Sequence, residues 1–102
     1  REAWPSPHGA RLIYAAGTPY QRFDSMAVDS AGNVMIATLY RGGITVVSPD
    51  GENVRHLPID DKWTTNLCFG GPDLRTCYVT LAQWGKLAAF EWERPGLRLN
   101  WQ

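Results

Sequence analysis

Apolar residues in this chain come in short runs, several of them alternating with polar positions, and each run is closed by turn residues. That pattern predicts strands. The runs are Leu12–Tyr14, Ser25–Val28, Val34–Leu39, Ile44–Val47, Val54–Ile59, Asn66–Phe69, Cys77–Leu81 and Leu87–Trp92, with Leu97–Trp101 as a last short one. Pro58 assigns the fifth run to a sheet edge, because a proline has no N–H for a ladder. The separators Asp29-Ser-Ala-Gly-Asn33, Arg41-Gly-Gly43, Pro49-Asp-Gly51 and Gly70-Gly-Pro-Asp73 supply positive or preset φ. No long window keeps a 3.6-residue period, and Ala15-Ala16 runs straight into Gly17-Thr18-Pro19, so no helix is expected. The elements read as antiparallel meanders.

The pattern repeats. A shift of 42 residues carries Asp24 onto Asn66, Thr38-Leu39 onto Thr80-Leu81 and Gly43 onto Gly85, without a gap from 24 to 47. A period of about 42 residues with about four strands per unit is that of a β-propeller blade. The fold class expected is therefore all-β, with four-stranded antiparallel meander blades, about two of them. Residues 1–22 form the outer-strand piece of a preceding blade, 23–62 one blade, and 63–102 a second blade with the last strand. Each innermost strand starts with a short polar residue, Asp24 or Asn66, at the mouth of a central channel. Propellers close with about four to eight blades, so two blades leave edges that invite pairing with another chain.

Composition narrows the function classes. With 44% hydrophobic and 20% charged residues in 102, the chain is expected to build a small globular domain. Ten basic and ten acidic residues cancel, which argues against a nucleic-acid or membrane-surface binder. No apolar run approaches the roughly 18 residues of a membrane span, and no signal-peptide pattern opens the chain. A cytoplasmic location is the expectation, and a start at Arg1 rather than Met suggests that the natural amino terminus is missing. Cys68 and Cys77 form no Cys-x-x-Cys. In a hairpin of 68–69 with 76–79 they can face each other; they read as small reduced core residues, with a disulfide as the alternative. Trp63, Trp84, Trp92 and Trp101 read as blade packing or edge cover, with Trp84, in a turn, able to reach a partner or the channel rim.

The stretches FDSMAVDSAGNVMIATLYRGGITVVSPDG, TTNLCFGGPDLRTCYVTL and GKLAAFEWERPGLRLNW together resemble the carboxyl-terminal third of the gluconolactonase/regucalcin-like (senescence marker protein) family. The resemblance implies a six-bladed propeller that binds a divalent metal, calcium or zinc, at the top of its channel and hydrolyses lactones of the sugar-acid type. Phe23-Asp24-Ser25-Met26 matches the family's Pro-Asp-Gly-Met context, so Asp24 resembles its metal-ligating and general-base aspartate, while Phe23 and Ser25 depart from that context. Asn66, with Ser25 and Thr65, resembles positions lining the channel near a substrate. The family's glutamate and middle asparagine ligands have no counterpart here. The site would be completed by missing blades of the same protein or by further copies; three copies of two blades give six.

The simpler readings stand beside these. Asp24 can cap a strand. Asp29 with Gly32-Asn33 reads as a β-turn, since the string lacks the further acidic ligands of a calcium loop. Ser25 has no Gly-x-Ser-x-Gly context to make it a nucleophile. His8 and His56 read as surface or packing residues, and Glu91, Glu93 and Arg94 as a solvated charge cluster. The alternative to a lactonase is a non-catalytic fragment or binding module that self-associates through open strand edges.

Overall fold

The computed structural model describes residues 9–98. Seven strands follow one another: β1 (Arg22–Val28), β2 (Val34–Leu39), β3 (Ile44–Val47), β4 (Val54–Leu57), β5 (Thr64–Gly70), β6 (Thr76–Leu81) and β7 (Lys86–Glu91). They form two antiparallel meanders, β1-β2-β3-β4 and β5-β6-β7. No helix occurs among the described residues, so none is long and apolar enough to cross a membrane. The repeat is present in the backbone: β5 and β6 begin and end 42 residues after β1 and β2, and β7 begins 42 residues after β3. The sheets are of the kind that build propeller blades, but the described residues close no ring.

The period-2 pattern decides which faces meet. Met35 and Ala37 on β2 and Ile44 and Val46 on β3 turn one face of the first sheet inward. Leu67, Cys77, Val79 and Leu81 answer from the second sheet, with Trp92 beyond its last strand. Each fully buried aliphatic side chain there contributes about 1.5–3 kcal/mol. The second face of the first sheet is covered as well: Thr45 and Val47 are buried on it, and the hydroxyls of Thr38 and Thr45 meet at 2.8 Å. The Thr45 hydroxyl also contacts His56 Nδ1 at 3.3 Å, which agrees with a packing role for His56.

Two expected strands behave differently. Leu12–Tyr14 forms no ladder, because a strand needs a neighbour and no described strand lies beside it. Leu97 does not extend the second sheet. Instead Gly96 N–H bonds the Leu74 carbonyl, Leu97 N–H bonds the Val28 carbonyl, and Ser30 N–H bonds the Pro95 carbonyl, each at 2.8 Å. The segment after β7 thus returns to the first sheet; residues 99–101 of that expected strand, with Trp101, lie outside the described residues, as does His8. Among the described residues the second sheet has three strands where four were expected.

Asp29 is the fixture that holds this return. It is a turn residue, as expected, with Gly32 N–H on its carbonyl at 2.9 Å. It is also fully buried. Its Oδ1 accepts the N–H groups of Ala31 and Asn33, both at 3.0 Å. Its Oδ2 accepts Asn33 Nδ2 at 3.1 Å, Trp92 Nε1 at 2.9 Å and Arg94 Nη1 at 3.3 Å. The expected solvated cluster of Glu91, Glu93 and Arg94 is corrected here: Arg94 reaches a buried carboxylate, and Glu93 joins Arg55 at 2.9 Å and Arg94 at 3.0 Å. Burial pushes the Asp29 carboxyl up, but its bonds from Trp92, Asn33 and Ala31 outweigh this and hold it below 3.8.

The cysteines do not face each other. Cys68 stands opposite Tyr78, and Phe69 opposite Cys77, so successive positions put the thiols on opposite faces of the hairpin. Both are free; Cys77 is core, and Cys68 is exposed rather than core. Burial, helped by the nearby Cys68, pushes the Cys77 thiol up to about 12.

Two outcomes follow. Asp29→Ala orphans Trp92 Nε1 and the turn amides, so it lowers stability by at least about 2 kcal/mol in urea unfolding. The wild-type margin over this variant is full above pH 3.8 and is lost as pH falls below it, because the folded carboxyl titrates lower than the unfolded one. A maleimide reagent labels Cys68 in the native protein and Cys77 only after denaturation, as mass spectrometry of the labelled peptides will show.

Candidate functional site

At one end of the molecule the start of β1, the end of β2 and the entry to β5 come together. Arg22 pairs with Leu39, and Leu39 bridges to Trp63, just before β5. Tyr40 N–H closes the junction on the Lys62 carbonyl at 2.8 Å. Tyr40 is a non-glycine residue at φ 71°, a conformation that costs of order 1–3 kcal/mol and is kept only where surroundings impose it. Its ring lies between Tyr20 at 5.1 Å and Trp63 at 5.0 Å, and all three are partly exposed.

Both inner strands are irregular here. Between Phe23 and Met26 β1 carries one residue more than β2, and between Thr64 and Asn66 β5 carries one more than β6. Such bulges bend a strand and re-aim its side chains. Asp24 and Ser25 lie in the first bulge and Thr65 in the second, with Asn66 at its end. The four expected site residues therefore share one end of two strands that pack side by side.

Their contacts differ. Asp24 is exposed, and no described residue gives it a hydrogen bond or ion pair. Ser25 is half-buried and also lacks a hydrogen-bond partner among them. Asn66 uses its Oδ1 to accept the Leu67 N–H at 2.8 Å, leaving its side-chain NH₂ toward solvent. The Thr65 and Thr80 hydroxyls meet at 2.9 Å, and Thr80 donates to the Asn66 carbonyl at 3.3 Å. No hydrogen bond joins Asp24 or Ser25 to Thr65 or Asn66. Farther along the same strands Met26, Ala27, Val28, Leu67, Cys68, Phe69 and Leu97 line an open groove of about 390 Å³. It is apolar, and it lies beyond the polar end.

The residue that organises this end is Asp61, which the sequence reading passed over. It is fully buried between β4 and β5. Oδ1 accepts Trp63 N–H at 2.8 Å and Gln83 N–H at 3.2 Å, and Oδ2 accepts Trp84 N–H at 2.8 Å. Its carbonyl takes the Thr64 hydroxyl at 2.9 Å, and that hydroxyl oxygen takes Gly43 N–H at 3.0 Å. Asp61 so joins the entry of β5, the β6–β7 turn and the β2–β3 turn. The Asp61-x-Trp63 spacing is the available sequence signal, since Asp commonly bonds the amide two residues on. Trp84, 45% exposed in that turn, stands at the same end, with the Lys86 ammonium 6.0 Å from its ring centre.

As a metal centre the described residues are incomplete. No group of three or more His, Cys, Asp or Glu side chains converges among them. Asp24 offers one free carboxylate, and a calcium or zinc site needs several ligands. The donor set of the described residues alone does not fit the ion.

The two antiparallel meanders, each with a bulge near the polar start of its first strand, make an all-β domain consistent with propeller-like blades. Residues 4–83 match the family model of the SMP-30/gluconolactonase/LRE-like region, and the chain belongs to that family. It is similar to a 6-deoxy-6-sulfogluconolactonase of Pseudomonas putida, 41% identical over 59 residues, which cover 58% of this chain and 20% of that protein. It is similar to a regucalcin of Xenopus laevis, 39% identical over 62 residues, covering 58% of the chain and 20% of the relative. A regucalcin of Oryctolagus cuniculus is 35% identical over 76 residues, 74% of the chain and 25% of the relative. The matched stretch spans a fifth to a quarter of the length of these proteins.

Asp61→Ala removes the acceptor of three amides. The expected result is a loss of roughly 2 kcal/mol or more and faster hydrogen exchange at the Trp63 and Trp84 amides, measured by NMR, with amides around Asp29 unchanged.

Proposed function

We propose that this chain is part of a lactone hydrolase and that Asp24 is its general base. The observation that carries the proposal is the state of Asp24: an exposed carboxylate with no hydrogen-bond or ion-pair partner among the described residues, lying in a bulge within the stretch that matches the family. The names of the similar proteins, which include gluconolactone-type hydrolases, support a small lactone or sugar-acid ester as substrate. In the reaction a water oxygen adds to the lactone carbonyl carbon while Asp24 takes the proton that water loses. The ring C–O bond then breaks, and its oxygen takes the proton held by Asp24 and leaves as the hydroxyl of the open acid. A base so placed contributes about 10²–10⁴-fold. Asn66, through its free NH₂, and the Ser25 and Thr65 hydroxyls orient substrate hydroxyls at the channel mouth.

A divalent cation, calcium or zinc, is the cofactor proposed for the completed site, with Asp24 among its ligands. The other ligands come from outside this chain, either from further blades of the same protein or from further copies. A cytoplasmic location accords with this reading.

The incomplete donor set favours one second reading, a non-catalytic module that associates through its strand edges. Assays of lactone opening with and without calcium, zinc or manganese separate the two. The hydrolase reading expects metal-dependent turnover that falls by about 10²–10⁴-fold in Asp24→Asn. Turnover indifferent to metal or to the substitution overturns it, and binding of neither metal nor lactone by calorimetry supports the module.

A further inference from the structure

The turn between β3 and β4 carries the one Asp-Gly pair of the chain, Asp50-Gly51. Such a pair is chemically labile, because glycine has no side chain to shield its amide nitrogen from the carboxyl group before it. In the reaction the Gly51 nitrogen bonds to Cγ of Asp50. The hydrogen of that nitrogen and the hydroxyl of the carboxyl group leave as water, and a five-membered imide remains. Water then opens the imide. Breaking the bond from nitrogen to Cγ returns aspartate. Breaking the bond from nitrogen to the main-chain carbonyl carbon leaves the chain running through Cβ and Cγ, one backbone carbon longer. Water is the only other reactant, and nothing is oxidised or reduced.

The turn needs both residues of the pair. Gly51 stands at φ 78°, where a side chain is strained. The Ile13 carbonyl also lies so close to it that a side chain there would collide. Asp50 Oδ1 accepts the Ser48 hydroxyl at 2.6 Å and the Glu52 N–H at 2.9 Å. The Ser48 hydroxyl oxygen in turn accepts the Asn53 N–H at 3.0 Å. The backbone closes around these groups, with Ser48 N–H on the Asn53 carbonyl and Gly51 N–H on the Ser48 carbonyl, each at 2.9 Å.

The same bonds oppose the reaction in three ways. Gly51 N–H must leave the Ser48 carbonyl before its nitrogen can attack. The Asp50 carboxylate must turn away from the Ser48 hydroxyl and the Glu52 N–H. It must also gain a proton, since the acid and not the carboxylate loses water, and the bonds from Ser48 and then Glu52 hold the Asp50 carboxyl below 3.8. Asp50 is exposed, so burial gives it no protection and the turn supplies all of it.

We infer that Asp50-Gly51 is a latent site of backbone isomerisation, kept unreacted by the Ser48 hydroxyl and the closed turn. An added backbone carbon does not fit between Ser48 and Asn53. Conversion therefore opens the turn that sets Val47 opposite Val54 and loosens β4, whose Arg55 and His56 reach Glu93 and Thr45. The reaction involves neither lactone nor metal, so it stands apart from the proposed hydrolysis.

The test uses the 102-residue chain, incubated at neutral pH in native buffer and in concentrated urea. Isoaspartate at position 50 is measured by mass spectrometry with electron-transfer fragmentation. The native chain is expected to accumulate it at least about tenfold more slowly than the unfolded chain, because the bonds of the turn must open first. This comparison needs no variant. In native buffer Ser48→Ala accumulates isoaspartate several-fold faster than wild type, with the strand signal in circular dichroism retained. Ser48→Thr, which keeps the hydroxyl, stays at the wild-type rate, and in urea all three chains agree. Equal rates for native and unfolded wild type, a native Ser48→Ala chain as slow as wild type, or Ser48→Thr as fast as Ser48→Ala overturns the inference.

Discussion

The buried carboxylate of Asp29 is the constraint on which the arrangement of the two sheets depends. It satisfies its own turn, then takes an indole N–H and a guanidinium from the segment after β7. A buried charge is tolerated only when it is hydrogen-bonded on most sides, so Trp92 and Arg94 are required where they stand. With them in place, Pro95–Leu97 lies along the first sheet. That choice keeps Gly96 and Leu97 off the edge of β7. The exposed Arg55–Glu93 pair, by comparison, contributes little.

A second buried carboxylate, Asp61, does the corresponding work at the opposite end of the strands. It holds backbone rather than side chains, and three connections meet on it. Asp24, by contrast, is exposed and has no hydrogen-bond or ion-pair partner among the described residues. Asp24 therefore holds together no part of the described fold. That contrast separates Asp24 from Asp29 and Asp61, although all three are aspartates beside strands.

Family membership and architecture point the same way but reach different distances. The family match covers most of this chain, while the matched stretch covers a fifth to a quarter of its relatives. Among the described residues the two sheets bring no group of three or more His, Cys, Asp or Glu side chains together.

The sequence by itself determined the strands, their turns and the 42-residue repeat, because alternation and turn chemistry are local properties of the chain. It also singled out Asp24 and Asn66, since the repeat places them at equivalent positions. It did not show Asp61 as a hub, because the three amides it binds come from residues up to 23 positions away. It did not separate Cys68 from Cys77, since that depends on a register set by the bulge in β5. Nor did it show that Leu12–Tyr14 would lack a ladder and Leu97 would turn back. Pairing is decided by which partner is within reach, and only the packing of the sheets around Asp29 settles that.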